Sequence, residues 1–171
     1  TIVNDLLDVA RIQSGRLAVK MERANISKIV TAVLDELAST AHEKNIQLVH
    51  IGTDIDHIAI IDRNRMHQAL INLVSNALKY TKQGSIEIEL SDAPKHIELR
   101  VKDTGMGISA EDQRKLFAPF FRVESDDVNQ ITGTGLGMWI TRQLLELMNA
   151  SIGVESIKGV GTHIVVQLPK K

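Results

Sequence analysis

Runs of apolar residues at helical spacing are interleaved along this chain with runs in which every second residue is apolar, and that alternation limits the fold more than any other feature. Helical period holds through Ile29, Val30, Val33, Leu34, Leu37, Ala38 and Ala41, again through Met66, Leu70, Leu73, Val74 and Leu78, and a third time from about Thr134 to Met148. Short strands are expected around 46–51 and 57–61 and at 152–156 and 162–168. Ile86, Ile88 and Leu90, then Pro94, then Ile97, Leu99 and Val101 predict an antiparallel pair. Ser27 is expected to cap the first long helix and Asn45 to end it. A polar, glycine-rich segment from Asp103 to about Gly133 is broken by one helical turn at 111–116. Three long helices with a mixed, largely antiparallel sheet make an α+β two-layer sandwich.

The N-terminus reads differently. Ile2, Val3, Leu6, Leu7, Val9, Ala10 and Ile12 form a helical stripe wider than one helix can hide on its own, and Ser14-Gly15 is a stop signal. Leu17, Val19 and Met21 then alternate with polar or small residues as a short strand would, which places a boundary near 14–23. Two readings stand on this pattern: the tail of an element that begins before residue 1, or a self-contained helix packed on the domain.

Composition removes several classes of function. The 171 residues carry 20 Lys plus Arg against 21 Asp plus Glu, so there is no basic field of the kind nucleic acids need. No cysteine means no disulfide framework and no thiolate nucleophile or zinc site, which suits the cytoplasm. No apolar run reaches membrane-spanning length, so no membrane contact by this chain is expected. The histidines show no paired metal-ligand spacing on one helix face, and His50, His57, His67, His96 and His163 read as surface or strand-end residues.

Two glycine clusters stand out, Asp103-Thr-Gly-Met-Gly107 and Gly133-Thr-Gly-Leu-Gly137. Neither has the GxGxxG spacing of a dinucleotide fold, and no GxxxxGK[ST] loop is present. The second opens a helix, so it is either an ordinary turn or a place where free backbone N–H groups hold phosphate. Asn72 and Asn76 lie four apart on one helix face, with Lys79 one turn further on. Their amides either satisfy neighbouring backbone groups or, at Asn76, offer a neutral oxygen to Mg²⁺ beside phosphate.

Taken in order, the Asn-rich helix, DTGMGIS, LFAPFFR and GTGLGMWI resemble the N, G1, F and G2 boxes of sensor histidine kinases, within the Bergerat-fold ATPase superfamily. GVGTH at 159–163 resembles the small-residue box that follows. The resemblance covers about 24–171 and implies a catalytic ATP-binding domain at 23–171, with residues 1–22 as the end of a dimerisation and phosphoacceptor helix and its linker.

What the resemblance implies can be stated residue by residue. Asp103 accepts from the exocyclic amine of adenine, which an ionised carboxylate can do and which selects ATP over GTP. Gly105 and Gly107 let the backbone approach the base, and Ile108 forms part of an apolar wall. Asn76 coordinates Mg²⁺ with support from Asn72, while Lys79 and Tyr80 face the phosphates. Phe117, Phe120 and Phe121 anchor the base of a mobile lid over about 115–134, with Phe120 also counted among the nucleotide contacts. Arg122 is either a phosphate or partner contact or an exposed solvated side chain. Gly133, Thr134, Gly135, Leu136 and Gly137 close over the β- and γ-phosphates, and Thr162 completes the nucleotide set. Trp139 is expected to pack in the helix and not on nucleotide.

Two departures matter. Relatives of the gyrase and Hsp90 types that hydrolyse ATP carry a Glu four residues before the metal Asn, to activate water; that position here is Asn72, whose amide takes no proton at neutral pH. A histidine acceptor has its own nucleophilic lone pair and needs no such base. Asn149-Ala150 replaces a frequent Gly-Gly and puts one local turn in question. The phosphoacceptor His of such kinases has no match here, since His42 sits in AHEKNI within the ATP-binding region. No catalytic residue is therefore assigned to these 171 residues, which are not expected to autophosphorylate alone. The implied partners are a phosphoacceptor domain and a response regulator; the parent is expected to be a homodimer and this chain a monomer. The alternatives are an ATPase, a serine kinase or a nucleotide-gated binding module.

Overall fold

The computed structural model describes residues 2–52, 55–123 and 133–170. The stretch 124–132, centre of the expected lid, lies outside the described residues. Five strands, β2 (Ile46–Ile51), β4 (Gly84–Asp92), β5 (His96–Asp103), β6 (Ser151–Ile157) and β7 (Gly161–Pro169), form one sheet in the order β2-β4-β5-β7-β6. Only β2 and β4 run parallel. A parallel pair needs a crossover, and the chain makes it through β3 (Ile58–Ile61) and α3 (Arg63–Tyr80). A separate two-stranded ribbon pairs β1 (Glu22–Asn25) with β3.

Strand alternation sorts the sheet into two faces. Ile86, Ile88, Ile97, Leu99, Val166 and Leu168 are buried under α2 (Ile26–Glu43) and α3. The opposite face carries ion pairs, with Lys102 bridging Glu89 at 2.6 Å and Glu87 at 3.1 Å. This is the expected α+β sandwich. The third long helix, α5 (Gly137–Leu147), follows a short α4 (Ala110–Gln113) and continues the helical layer beside α3.

The caps show why the helices start where they do. The Asp62 carboxylate accepts from Asn64 N at 3.0 Å and Arg65 N at 3.1 Å to open α3, and from Lys20 N at 2.8 Å to hold the entering chain. At the other end of α3 the Lys44 ammonium donates to Leu78 O at 2.7 Å. Asn45 has φ 55 just after α2, as the expected stop requires, and Asn149 has φ 58, so asparagine makes the turn in place of glycine.

Four local expectations are corrected. The N-cap of α2 is Asn25, whose Oδ1 accepts from Ser27 N at 3.0 Å; Ser27 is the second residue of the helix, where its hydroxyl meets His57 Nδ1 at 3.0 Å. His57 is accordingly buried, at 1% exposure: of its two expected places it takes the strand end, directly before β3, and not the surface. Leu17 to Met21 make no strand: Leu17 packs instead with Leu136, Ile140 and Leu144 of the α5 region, and pairing begins at Glu22. The third helix starts at Gly137 and not Thr134, because the Thr134 hydroxyl takes the Leu136 N–H at 3.2 Å outside the helix.

The N-terminal helix α1 (Ile2–Gln13) is docked by one face. Val9 and Ile12 pack with Trp139 against the Leu17, Leu136, Ile140 and Leu144 cluster, while Val3, Leu6 and Leu7 are exposed. Among the described residues no helix is long and apolar enough to cross a membrane.

Candidate functional site

A cavity of about 670 Å³ opens between α3, α5 and the end of β5. Its floor on α3 is set by helical periodicity. Gln68, Asn72 and Asn76 follow one another at four-residue spacing, the face next to the buried stripe of Met66, Leu70, Leu73 and Ala77, and Lys79 and Tyr80 carry the same edge to the helix end. Burial raises the Tyr80 phenol above its ordinary pKa, against the nearby Arg122 charge.

At the far end stands Asp103, the last residue of β5. Its Oδ1 accepts from Gly105 N at 2.9 Å and Thr162 N at 3.3 Å, so it caps the glycine turn as well as facing the cavity. Burial pushes its carboxyl up from the ordinary value, against the pull of those two amides and of His163. Val101, Ile108, Met106 and Ile164 make the wall around it apolar. The loop beyond is pinned to the β6–β7 hairpin: Ile108 N donates to Ser156 Oγ at 2.8 Å, and Ser156 Oγ lies 3.0 Å from Thr162 Oγ1. Gly107 has φ +65, and a Cβ there would run into the carbonyl oxygen of Ile157. The close approach and the positive φ both require glycine.

Asn72 is tied to α5. Its Nδ2 donates to Thr141 Oγ1 at 2.7 Å, and Thr141 is buried. A Cβ on Gly137 would lie 2.5 Å from Asn72 Oδ1, so glycine at the helix start leaves room for this amide. The arrangement makes Asn72 a bridge between α3 and α5.

Of the residues singled out by sequence, Asn72, Asn76, Lys79, Tyr80, Asp103, Gly107 and Ile108 line this one cavity. So do Arg122, Gly133, Thr134, Gly135, Gly137 and Thr162. Three do not. Gly105 lies in an adjoining groove with Lys82 and Thr104. Phe120, 68% exposed with φ 61, points away from the cavity, and Phe121 takes the lining place. Leu136 is buried in the α1–α5 cluster. Trp139 packs there too, as expected. Phe117 carries Arg142 over its ring at 6.0 Å.

Sequence reasoning missed Asn4, Asp5, Gln68 and Thr141, all of which line the cavity. Gln68 and Thr141 had a local signal, since they fall four residues from Asn72 and Gly137 on the same helix faces. Asn4 and Asp5 had none, because only the docking of α1 brings them in.

The donor set fits a nucleotide with a hard cation better than a free metal. Among the described residues no group of three His, Cys, Asp or Glu could hold a metal ion. A cation at Asn76 would therefore take its other ligands from phosphate and water. A buried acceptor in an apolar wall at one end, with glycines and amides at the other and a lysine along the α3 edge, matches a base and a phosphate chain.

A family model described as histidine kinase-, DNA gyrase B- and HSP90-like ATPase matches residues 61–171. The autoinducer 2 sensor kinase/phosphatase LuxQ of Vibrio cholerae is 34% identical over 98% of this chain and 20% of its own length. The sensor protein GacS of Pseudomonas syringae is 36% identical over 99% of this chain and 19% of its own. The chain thus spans about a fifth of the length of these relatives. Among solved structures, full-length ShkA in complex with AMPPNP superposes with a TM-score of 0.85 and 27% identity, covering 98% of this chain and 35% of that one. The nucleotide-free catalytic domain of the histidine kinase ThkA gives 0.78 at 27% identity, covering 89% and 97%. On these matches the chain belongs to the histidine kinase-, DNA gyrase B- and HSP90-like ATPase family, as the ATP-binding catalytic domain of a sensor histidine kinase.

Proposed function

We propose that this chain binds ATP with Mg²⁺ and presents the γ-phosphoryl group to a histidine on a phosphoacceptor domain, from which a response-regulator aspartate receives it. Asp103 accepts the adenine amine, and the apolar wall with Ile108 holds the ring. Asn76 offers its amide oxygen to Mg²⁺; Lys79, Tyr80 and the Gly133–Gly137 segment face the phosphates, Arg122 lines the same cavity, and Thr162 stands beside Asp103. ATP supplies the phosphoryl group, and the chain's own residues bind, orient and neutralise it.

The observation that carries this reading is the state of Asn72. The position from which ATP-hydrolysing relatives activate water holds an amide, already bonded to Thr141 at 2.7 Å. An amide so held removes no proton, which disfavours attack by water and leaves the phosphoryl group for an acceptor with its own lone pair.

Residues 1–22 are assigned to the end of the phosphoacceptor-domain helix and its linker, and 23–171 to the catalytic domain. The exposed Val3, Leu6 and Leu7 suit a helix whose second face meets other helices in a homodimeric parent, with the chain itself monomeric. A cytoplasmic place follows from the use of ATP. The test supplies γ-labelled ATP, Mg²⁺ and a separate phosphoacceptor domain, and follows label and free phosphate together. Label on histidine with little phosphate release is expected; rapid release without transfer would establish an ATPase instead.

A further inference from the structure

Helix α1 lies outside the segment that matches the family model, yet it reaches the cavity at its glycine-rich end, where Asn4 and Asp5 join the wall. The Thr134 hydroxyl accepts from Leu136 N at 3.2 Å, which aims its own proton elsewhere, and it donates to Asp5 Oδ2 at 3.4 Å. A carboxylate of α1 thus holds a donor of the Gly133–Gly137 segment. The helix is locked in this place from both sides. Asp8, 8% exposed, accepts from Gln68 Nε2 at 2.7 Å and lies 3.9 Å from Arg65, which itself donates to Gln68 Oε1 at 2.9 Å. Val9, Ile12 and Leu17 close the contact against α5.

We propose that Asp5 is a nucleotide-discriminating residue: with α1 docked, its carboxylate competes with terminal phosphates for Thr134 and disfavours a triphosphate relative to nucleotides with fewer phosphates. This rests on the reading of the cavity as an ATP site with phosphates at the Gly133–Gly137 end. The discrimination follows from charge and place. Asp5 stands at the opposite end from Asp103, so it leaves the base alone, whereas each phosphate added toward Thr134 meets a fixed negative charge. Binding linkage is reciprocal, so the factor by which docked α1 weakens ATP is the factor by which ATP loosens α1. The chain reports that loosening itself, because its single tryptophan, Trp139, packs where Val9 and Ile12 meet α5.

The test measures the affinities of adenosine, ADP and ATP, with Mg²⁺, for the wild type, Asp5→Asn and Asp8→Asn, and records Trp139 emission in each titration. Asparagine keeps the size and the acceptor but removes the charge. Asp5→Asn is expected to tighten ATP by about 3- to 10-fold, a range set by screening of a half-buried charge, ADP by less and adenosine not at all. Asp8→Asn, which loosens the same helix away from Thr134, should shift ATP in the same direction. In the wild type ATP should move Trp139 emission further than ADP, and in Asp5→Asn the two should move it alike. Equal shifts for all three ligands in Asp5→Asn, or weaker ATP binding, would overturn the proposal while leaving the ATP site intact. No nucleotide bound by any of the three proteins would overturn the site reading itself.

Discussion

The side-chain amide of Asn72 on α3 donates to the hydroxyl of Thr141 on α5 at 2.7 Å, with Thr141 buried and Gly137 one turn before it leaving space for the amide. One hydrogen bond thus ties the helix that carries Asn76, the residue proposed to meet the metal, to the helix that opens from the glycine-rich segment. Thr141→Val keeps the volume and removes the hydrogen-bond partner of the half-buried Asn72 amide, at a cost of about 1 kcal/mol. For a chain of this size that lowers the melting temperature by roughly 2 to 4 °C per kcal/mol. Thr141→Ser should melt close to the wild type in calorimetry, and equal losses for Val and Ser would show that the hydroxyl plays no part.

Gly137 makes a sharper test of the same contact. An added methyl would lie 2.5 Å from Asn72 Oδ1, so Gly137→Ala should destabilise the protein by about 1 to 3 kcal/mol by overpacking. In an Asn72→Ala background the clash is gone, and alanine gains up to about 1 kcal/mol of helix propensity. The effect of Gly137→Ala should therefore vanish or change sign in a denaturant-based double-mutant cycle. Additive losses would contradict the packing described.

These two helices also show what was legible in the sequence. Asn72 and Asn76, Asp103 with Gly107, and Gly133, Thr134, Gly135 and Gly137 were readable as neighbours in one cavity because their spacing is local and each spacing meets a local geometric need. Gly107 needs a positive φ and Gly137 needs to lack a side chain, and both were found. Asp5 was not, since nothing within α1 says which face meets the cavity. Asn25 and Ser27 are both competent caps, and the choice fell to Asn25 because a distant residue, His57, holds Ser27 inside the helix. Leu17 alternated like a strand residue but was drawn into the contact with Leu136 and Leu144. Phe120 belonged to a convincing aromatic trio, yet its backbone, with φ 61, turns it outward.

Asp103 predicts a pH dependence of binding. The carboxylate is the form that accepts from an amine, and burial raises its pKa above the ordinary carboxylate value. ATP affinity should therefore begin to fall on acidification at a higher pH than an ordinary aspartate would give. Asp103→Asn should weaken ATP by about 10- to 100-fold at neutral pH and flatten that part of the profile. A raised folded-state pKa adds stability only below the unfolded value, and that stability is lost as pH rises through the folded one. The nucleotide-free Asp103→Asn protein should then be at least as stable as the wild type at neutral pH, as urea denaturation would show.

His50 gives the opposite sign. Burial, and then the proximity of His57, hold its pKa below the usual histidine value. The unfolded chain therefore takes up the proton first on acidification, so the stability His50 confers is present above about pH 6.5 and is lost as pH falls below it. His50→Gln, neutral throughout, should reduce the slope of denaturation midpoint against pH between about 7 and 5. An unchanged slope would assign the acid sensitivity to other groups.

The central claim is that this cavity receives the adenine of ATP at Asp103 and holds its phosphates beside an Asn72 that activates no water. A calorimetric titration with ATP and Mg²⁺, repeated with GTP and with inorganic phosphate followed in the same samples, tests both halves. Saturable binding of ATP in preference to GTP with negligible phosphate release is the predicted result. Equal binding of the two nucleotides, or rapid release of phosphate, would contradict it.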